Sequence, residues 1–292
     1  MVAVPPPRQA VKSTTTFKDD IFKGKVLFCT GGSSGICKGM TQAMMRHGAD
    51  AFILGRKQDK GDAAAKELSA ATGKKCVFAS VDVRKPDTLK AAVAKCIEVY
   101  GKIDFVICGA AGNFLAPISG LSENAFRTVI EIDALGTFNT VKATLPYIRE
   151  TRGSYIHISA TLHYRGTPYQ AHVSAAKAAV DSLSNVIAVE EGPRGIRSNV
   201  IAPGPILGTE GMDRLTPQAM KDAITRSVPL QRQGAIDDIA NAGIFLFSEA
   251  ANWVNGQIIA VDGASLHTSA NTIPYPEGVL DPASVAKTIP RL

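Results

Sequence analysis

The chain holds one tryptophan in 292 residues and five cysteines, at 29, 37, 76, 96 and 108. The cysteines show neither CxxC pairing nor metal-ligand spacing. That argues against a disulfide framework and a structural metal, and they read as small core residues in a reducing compartment. No apolar run is long enough to span a bilayer, and "MVAVPPPRQAVKSTTTF" lacks a hydrophobic signal core. Lysine and arginine number 32 against 26 acidic residues, but they are scattered rather than run together. With no nucleic-acid motif present, the mild excess suits a phosphate-rich small molecule better than a nucleic acid.

What is present is 45% apolar residues, enough to bury the core of one large α/β domain. Residues 1–20, with three consecutive prolines and a threonine run, read as a mobile arm. The folded domain is expected over 21–266, and 267–292 reads as a Pro-rich tail. Within the domain, short apolar runs at 25–30, 50–55, 75–83, 103–110, 153–160, 196–204 and 256–263 read as strands. Helical patterns occupy 38–48, 60–73, 85–101, a long stretch at 124–148, and 172–192. This alternation predicts a Rossmann-like, doubly wound parallel sheet of about seven strands with helices on both faces.

"CTGGSSGIC" (29–37) follows the first strand and opens the first helix. Gly31, Gly32 and Gly35 allow a tight turn and close approach to a pyrophosphate. Ser34 and Ile36 border the free N–H groups of the helix start. Cys37 replaces the last glycine of the usual pattern. The second strand ends in "LGRKQDK", where Arg56 and Lys57 stand instead of an acid, so a ribose phosphate and NADP(H) are expected. Asp82, in "SVDVR", is placed to meet the adenine edge or to cap the next turn.

These pieces, with "CGAAGN", "ISAT", "IRSNVIAPGPI", "VDG" and Lys177, resemble the short-chain dehydrogenase/reductase family over roughly residues 20–266. Within it, "AAGNFLAPISGLSENAFRTVIEIDALGTFNT", "SATLHYRGTPYQAHVSAAKAAVD", "APGPILGTEGMDRL" and "PLQRQG" are most similar to the peroxisomal 2,4-dienoyl-CoA reductases. The broad family keeps a proton-donating tyrosine four residues before its lysine. Here that position is Val173, a departure which the subgroup shares.

The resemblance implies NADPH-dependent reduction of 2,4-dienoyl-CoA to trans-3-enoyl-CoA in the β-oxidation of unsaturated fatty acids. It makes Asp133 and Lys177 the catalytic pair. Asp133 stands where the broad family has asparagine and would act on a water that protonates carbon; Lys177 would also hold the nicotinamide ribose. Further cofactor contacts fall to Val83, Ala110, Pro203, Gly204, Ile206 and Thr209. Substrate contacts fall to Asn113 and Phe114, to the helix start Ser122, Glu123 and Asn124, to Ser159, and to Arg84 and Arg214 for the CoA phosphates. For the two arginines a solvated salt bridge is the alternative. "EGMDRL" would be a lid over the acyl group. A homodimer or homotetramer is implied. The terminal "PRL" resembles a peroxisomal address read by an import receptor, without which the protein would be cytoplasmic. Two rivals remain open here: a carbonyl reductase whose acid has moved to Tyr164 or Tyr169, and a non-catalytic NADP-binding pseudoreductase. His163, His172, Thr161 and Ser174 also lie near Lys177 in sequence and either pack or enter the site.

Overall fold

The structure, a computed structural model, describes residues 7–209 and 218–268, with the side chains of 218–221 left aside. Seven parallel strands form one sheet: β1 Val26–Thr30, β2 Asp50–Gly55, β3 Cys76–Ser80, β4 Phe105–Cys108, β5 Ser154–Ile158, β6 Arg197–Pro203 and β7 Ile258–Val261. Their order is β3-β2-β1-β4-β5-β6-β7. Strands β1, β4 and β5 are buried along their whole length, which is why they read as continuous apolar runs rather than alternating ones.

Parallel neighbours need crossover connections, and helices supply them. They are α1 Gly35–Arg46, α2 Gln58–Thr72, α3 Pro86–Tyr100, α4 Glu123–Ile130, α5 Gly136–Thr151, α6 Ala171–Glu191, α7 Gln218–Ser227 and α8 Ile236–Phe247. One face of the sheet packs Met40, Met44, Leu68, Ile239 and Ile244. The other packs Leu89, Val93, Val141 and Ile148. All five cysteines are free, and burial raises the Cys76 and Cys96 thiols to about 12, so they sit as unreactive filling.

The structure departs from the sequence reading in four places. The helix expected at 124–148 is interrupted by a π turn at Glu131–Leu135. Helices α7 and α8, not anticipated, carry the β6–β7 crossover. The third strand stops at Ser80, and the chain turns after Val81, whose N–H bonds Gly55 O at 2.8 Å. The arm is tied down: Arg232 Nε donates to Arg8 O at 2.6 Å and Asn241 Nδ2 to Val11 O at 2.9 Å, while Ser13 is buried and Phe17 packs on the core.

The strand order reverses between β1 and β4. In open sheets of this kind the crevice at the carboxyl ends of such strands is where a ligand fits.

Candidate active site

At that reversal lies a cleft of about 860 Å³. Its lining brings together Gly31, Ser34, Arg56, Lys57, Asp82, Val83, Ala110, Asn113 and Phe114, all anticipated from sequence. Gly31 turns the chain at φ 72° and Gly35 at φ 55°, conformations that favour glycine. A Cβ on Gly31 would press on Gly109 O at 2.8 Å. Thr30, which the sequence reading passed over, ties these loops: its Oγ1 accepts from Gly109 N at 3.0 Å and Ala110 N at 3.2 Å. Cys37 is accommodated because residue 109 is glycine; a side chain there would collide with Cys37 Sγ.

The start of α1 is uncapped. Ser34 at its N-cap makes no side-chain cap bond, and the first turn holds no acid. Bare N–H groups and a positive helix end suit a pyrophosphate. Arg56 and Lys57 are exposed at the rim and pair with no carboxylate among the described residues. The residues at the cleft therefore fit a nicotinamide dinucleotide.

Asp82 and Arg84 are engaged with each other. Arg84 Nε reaches Asp82 Oδ1 at 2.9 Å and its NH2 reaches Oδ2 at 2.5 Å. The guanidinium hydrogen bonds hold the Asp82 carboxyl below the usual range and push Arg84 up. Of the two readings given for Arg84, the salt bridge is the one present here, and a CoA phosphate would compete with Asp82 for the guanidinium. Ser122 is also otherwise engaged, capping α4 by accepting from Ala125 N at 3.2 Å. Ser122 and Glu123 line a separate surface depression with Ile118 and Phe126, and Asn124 is exposed beside them. Arg214, the whole of the proposed lid and the terminal "PRL" lie outside the described residues.

Behind the cleft lies the pair that the sequence nominated. The π turn carries Asp133, which is wholly buried. Its Oδ1 accepts from Gly112 N at 2.8 Å, and Lys177 Nζ sits 2.9 Å from Oδ2. That contact is an ion pair set off the hydrogen-bonding direction, so Oδ2 keeps acceptor capacity. Lys177 Nζ also donates to Ile158 O at 3.0 Å. Next along the chain, Ser159 has a buried Oγ with no partner among the described residues; Asn113 Oδ1, His172 Nδ1 and Ser174 Oγ share that condition. Buried polar atoms are normally satisfied, so Asn113 Oδ1 on the cleft lining, and Ser159 Oγ next to the carbonyl that Lys177 bonds, are open to a bound molecule.

Val173 is 3% exposed and packs with Val129, Ala176, Phe114, Ile130 and Leu162. The missing tyrosine leaves no gap. Tyr164, one of the two phenols that could replace it, is engaged elsewhere: its OH donates to Asp181 Oδ2 at 2.5 Å, beside His163 Nε2 at 2.7 Å. Burial and then that carboxylate push the phenol up, making it a poorer acid. Tyr169 takes φ 66°, and its carbonyl accepts from Ala116 N at 3.1 Å.

The remaining expected cofactor contacts follow β6. Pro203 ends the strand, and Gly204 N bonds Val261 O at 3.1 Å. Gly234 N bonds Pro205 O at 2.9 Å and Leu207 N bonds Gly234 O at 2.8 Å. In such a parallel bridge the N–H of Ile206 itself is not used. Thr209 Oγ1 donates to Ile206 O at 2.9 Å. Gly32 and Ile36 face the protein: a Cβ on Gly32 would meet Ile53, and Ile36 packs on the core.

Known proteins share this arrangement. A family model described as enoyl-(acyl carrier protein) reductase matches residues 31–264. The yeast Saccharomyces cerevisiae peroxisomal 2,4-dienoyl-CoA reductase SPS19 [(3E)-enoyl-CoA-producing] is 46% identical over 270 residues, covering 91% of this chain and 92% of that protein. The rat peroxisomal 2,4-dienoyl-CoA reductase [(3E)-enoyl-CoA-producing] is 45% identical over 88% and 89% of the two chains. A short-chain type dehydrogenase/reductase from Mycobacterium ulcerans superposes with a TM-score of 0.82 at 30% identity, over 89% of this chain and 95% of that one. Strand order, glycine turn and buried lysine together with these likenesses lead to one conclusion: the chain belongs to the short-chain dehydrogenase/reductase family.

Proposed function

We propose that the protein is an NADPH-dependent 2,4-dienoyl-CoA reductase that yields a 3-enoyl-CoA. The observation that carries this reading is the buried Asp133–Lys177 pair beside a packed Val173. When bound, the nicotinamide supplies a hydride to the far end of the conjugated diene. Negative charge then spreads back to the thioester oxygen, and a proton must reach the α-carbon. Such a reaction needs no phenol poised against a carbonyl oxygen. It needs fixed donors near the thioester oxygen and a proton source near carbon.

The chain offers both. The Ser159 hydroxyl is a buried donor without a partner among the described residues, and Lys177 provides fixed positive charge. Asp133 Oδ2 can accept from a water and hold it for protonation at carbon. Exposed Arg56 and Lys57 support NADP(H) over NAD(H), since paired cations suit a ribose 2′-phosphate. Asn113 and Phe114 border the nicotinamide and the acyl chain.

The deciding assay mixes the protein with NADPH and a 2,4-dienoyl-CoA and follows the dienoyl absorbance. Turnover is expected. Turnover on a ketone alone would favour a carbonyl reductase, and none on either would favour a pseudoreductase.

The relatives named peroxisomal, together with "PRL", support a peroxisomal location through an import receptor; a reporter carrying the final residues tests it. Exposed Leu135 and Phe138 at the start of α5, with Val186 and Val189 on α6, support a homodimer or homotetramer, which sedimentation reads directly.

A further inference from the structure

We propose that His172 is a positioning residue for the reaction: with Asp133 it clamps the Gly112–Phe114 turn and fixes the cleft wall that carries Asn113. The turn is held at both ends. From the π turn, Asp133 Oδ1 accepts the Gly112 N–H at 2.8 Å. From the start of α6, His172 Nε2 lies 3.1 Å from Phe114 O. The ring also stacks on the Phe114 ring, with centroids 4.2 Å apart and planes 22° from parallel. Asn113, between the two fixed points, lines the cleft and keeps a buried Oδ1 without a partner among the described residues.

The contact with Phe114 sets the chemistry of the ring. A carbonyl oxygen only accepts, so Nε2 carries the hydrogen. Burial pushes the imidazole below its ordinary value, so Nδ1 is a bare lone pair. That nitrogen is buried and has no partner among the described residues. An isolated buried acceptor weakens a fold, and a phenylalanine would fill the space without that cost. Histidine at 172 is explained by what it does for the turn. Asp133, in this account, has two tasks on its two oxygens: Oδ1 holds the wall and Oδ2 faces the reacting side.

The inference rests on the proposed dienoyl reduction, and two substitutions with two readouts separate them. His172→Phe keeps the stack and removes the N–H; His172→Gln keeps an N–H within reach of Phe114 O. In His172→Phe, kcat on a 2,4-dienoyl-CoA should fall about tenfold while KM for NADPH stays within about twofold. His172→Gln should recover to within about threefold of the parent. Hydrogen exchange reads the clamp without any substrate. The Gly112 amide, bonded to Asp133, and the Ala116 amide, bonded to Tyr169 O, should exchange at least roughly tenfold faster in His172→Phe but not in His172→Gln. Unchanged kcat and unchanged protection in His172→Phe would overturn the proposal, as would a glutamine variant no better than the phenylalanine one. A parent protein that turns over no dienoyl-CoA would sink the functional reading instead, and the exchange comparison would still decide the clamp.

Discussion

Lys177 Nζ and Asp133 Oδ2 stand 2.9 Å apart, with 7% and 0% of their side-chain surfaces exposed. Neither charge can be removed without stranding the other. Asp133→Ala should therefore cut dienoyl-CoA turnover at least roughly tenfold and lower stability by about 3–5 kcal/mol, as expected when one partner of a buried pair is lost. NADPH should still bind. Asp133→Asn keeps an acceptor for Gly112 N–H, so it should lose comparable turnover with a smaller loss of stability. Kinetics and urea titration on both variants separate the reacting oxygen from the bracing one. Unchanged turnover in either would remove Asp133 from the chemistry.

Arg56 and Lys57 line the cleft and have no carboxylate partner among the described residues. The double substitution to alanine should raise KM for NADPH about tenfold or more and leave KM for NADH nearly as it was. Equal effects on both coenzymes would mean that the pair serves the loop rather than a 2′-phosphate.

Restoring a tyrosine should not restore ketone chemistry. Val173 is packed among Val129, Phe114 and Leu162, so Val173→Tyr overfills the site. The expected penalty is about 1–3 kcal/mol, seen as a lower thermal midpoint, with no gain of ketone reduction. An active ketone reductase of unaltered stability would contradict this packing argument.

His157 is wholly buried, 3.1 Å from Ser198 Oγ, and burial pushes its imidazole down to about 3. The unfolded ring titrates near its ordinary value of about 6.5. Between those values the unfolded chain binds more protons, so stability falls as pH drops, by up to about 1.4 kcal/mol per pH unit from this group. His157→Gln should flatten that part of the curve. Urea midpoints at about pH 7 and pH 5 that fall equally in parent and variant would refute it.

Strands β1, β4 and β5 were legible because burial on both faces writes itself as an unbroken apolar run. The glycine turn was legible because Gly31 combines a left-handed backbone with no room for a Cβ against Gly109 O, which together call for glycine. Asp133 and Lys177 could be nominated from sequence, but not their separation. Helix α8 was passed over although "IDDIANAGIFLF" buries Ile239, Ala240, Gly243, Ile244, Leu246 and Phe247 at helical spacing. For Arg84 the sequence left a phosphate contact and a salt bridge open, because a carboxylate two residues away competes for its fork, and only coordinates show the pair with Asp82. His172 was legible only as a neighbour of Lys177; its hold on the turn was not, because its partner is a backbone carbonyl 58 residues earlier, and backbone acceptors leave no trace in composition.

The close fit of α8 on α1 bears on how the chain is made. A Cβ on Gly39 would collide with the Ile236 side chain, and one on Gly243 would press on the end of Met40 at 2.6 Å, so each helix seats a side chain of the other on a glycine. Bonds from Arg232 and Asn241 to the arm span 224 and 230 residues. The glycine turn is synthesised early, yet the helix behind it stays uncovered until residue 247 has left the ribosome. Contacts so distant in sequence delay folding and prolong exposure of apolar surface. The nascent chain therefore carries the sticky face of α1 through most of its synthesis, and this is the surface that a chaperone would have to shield.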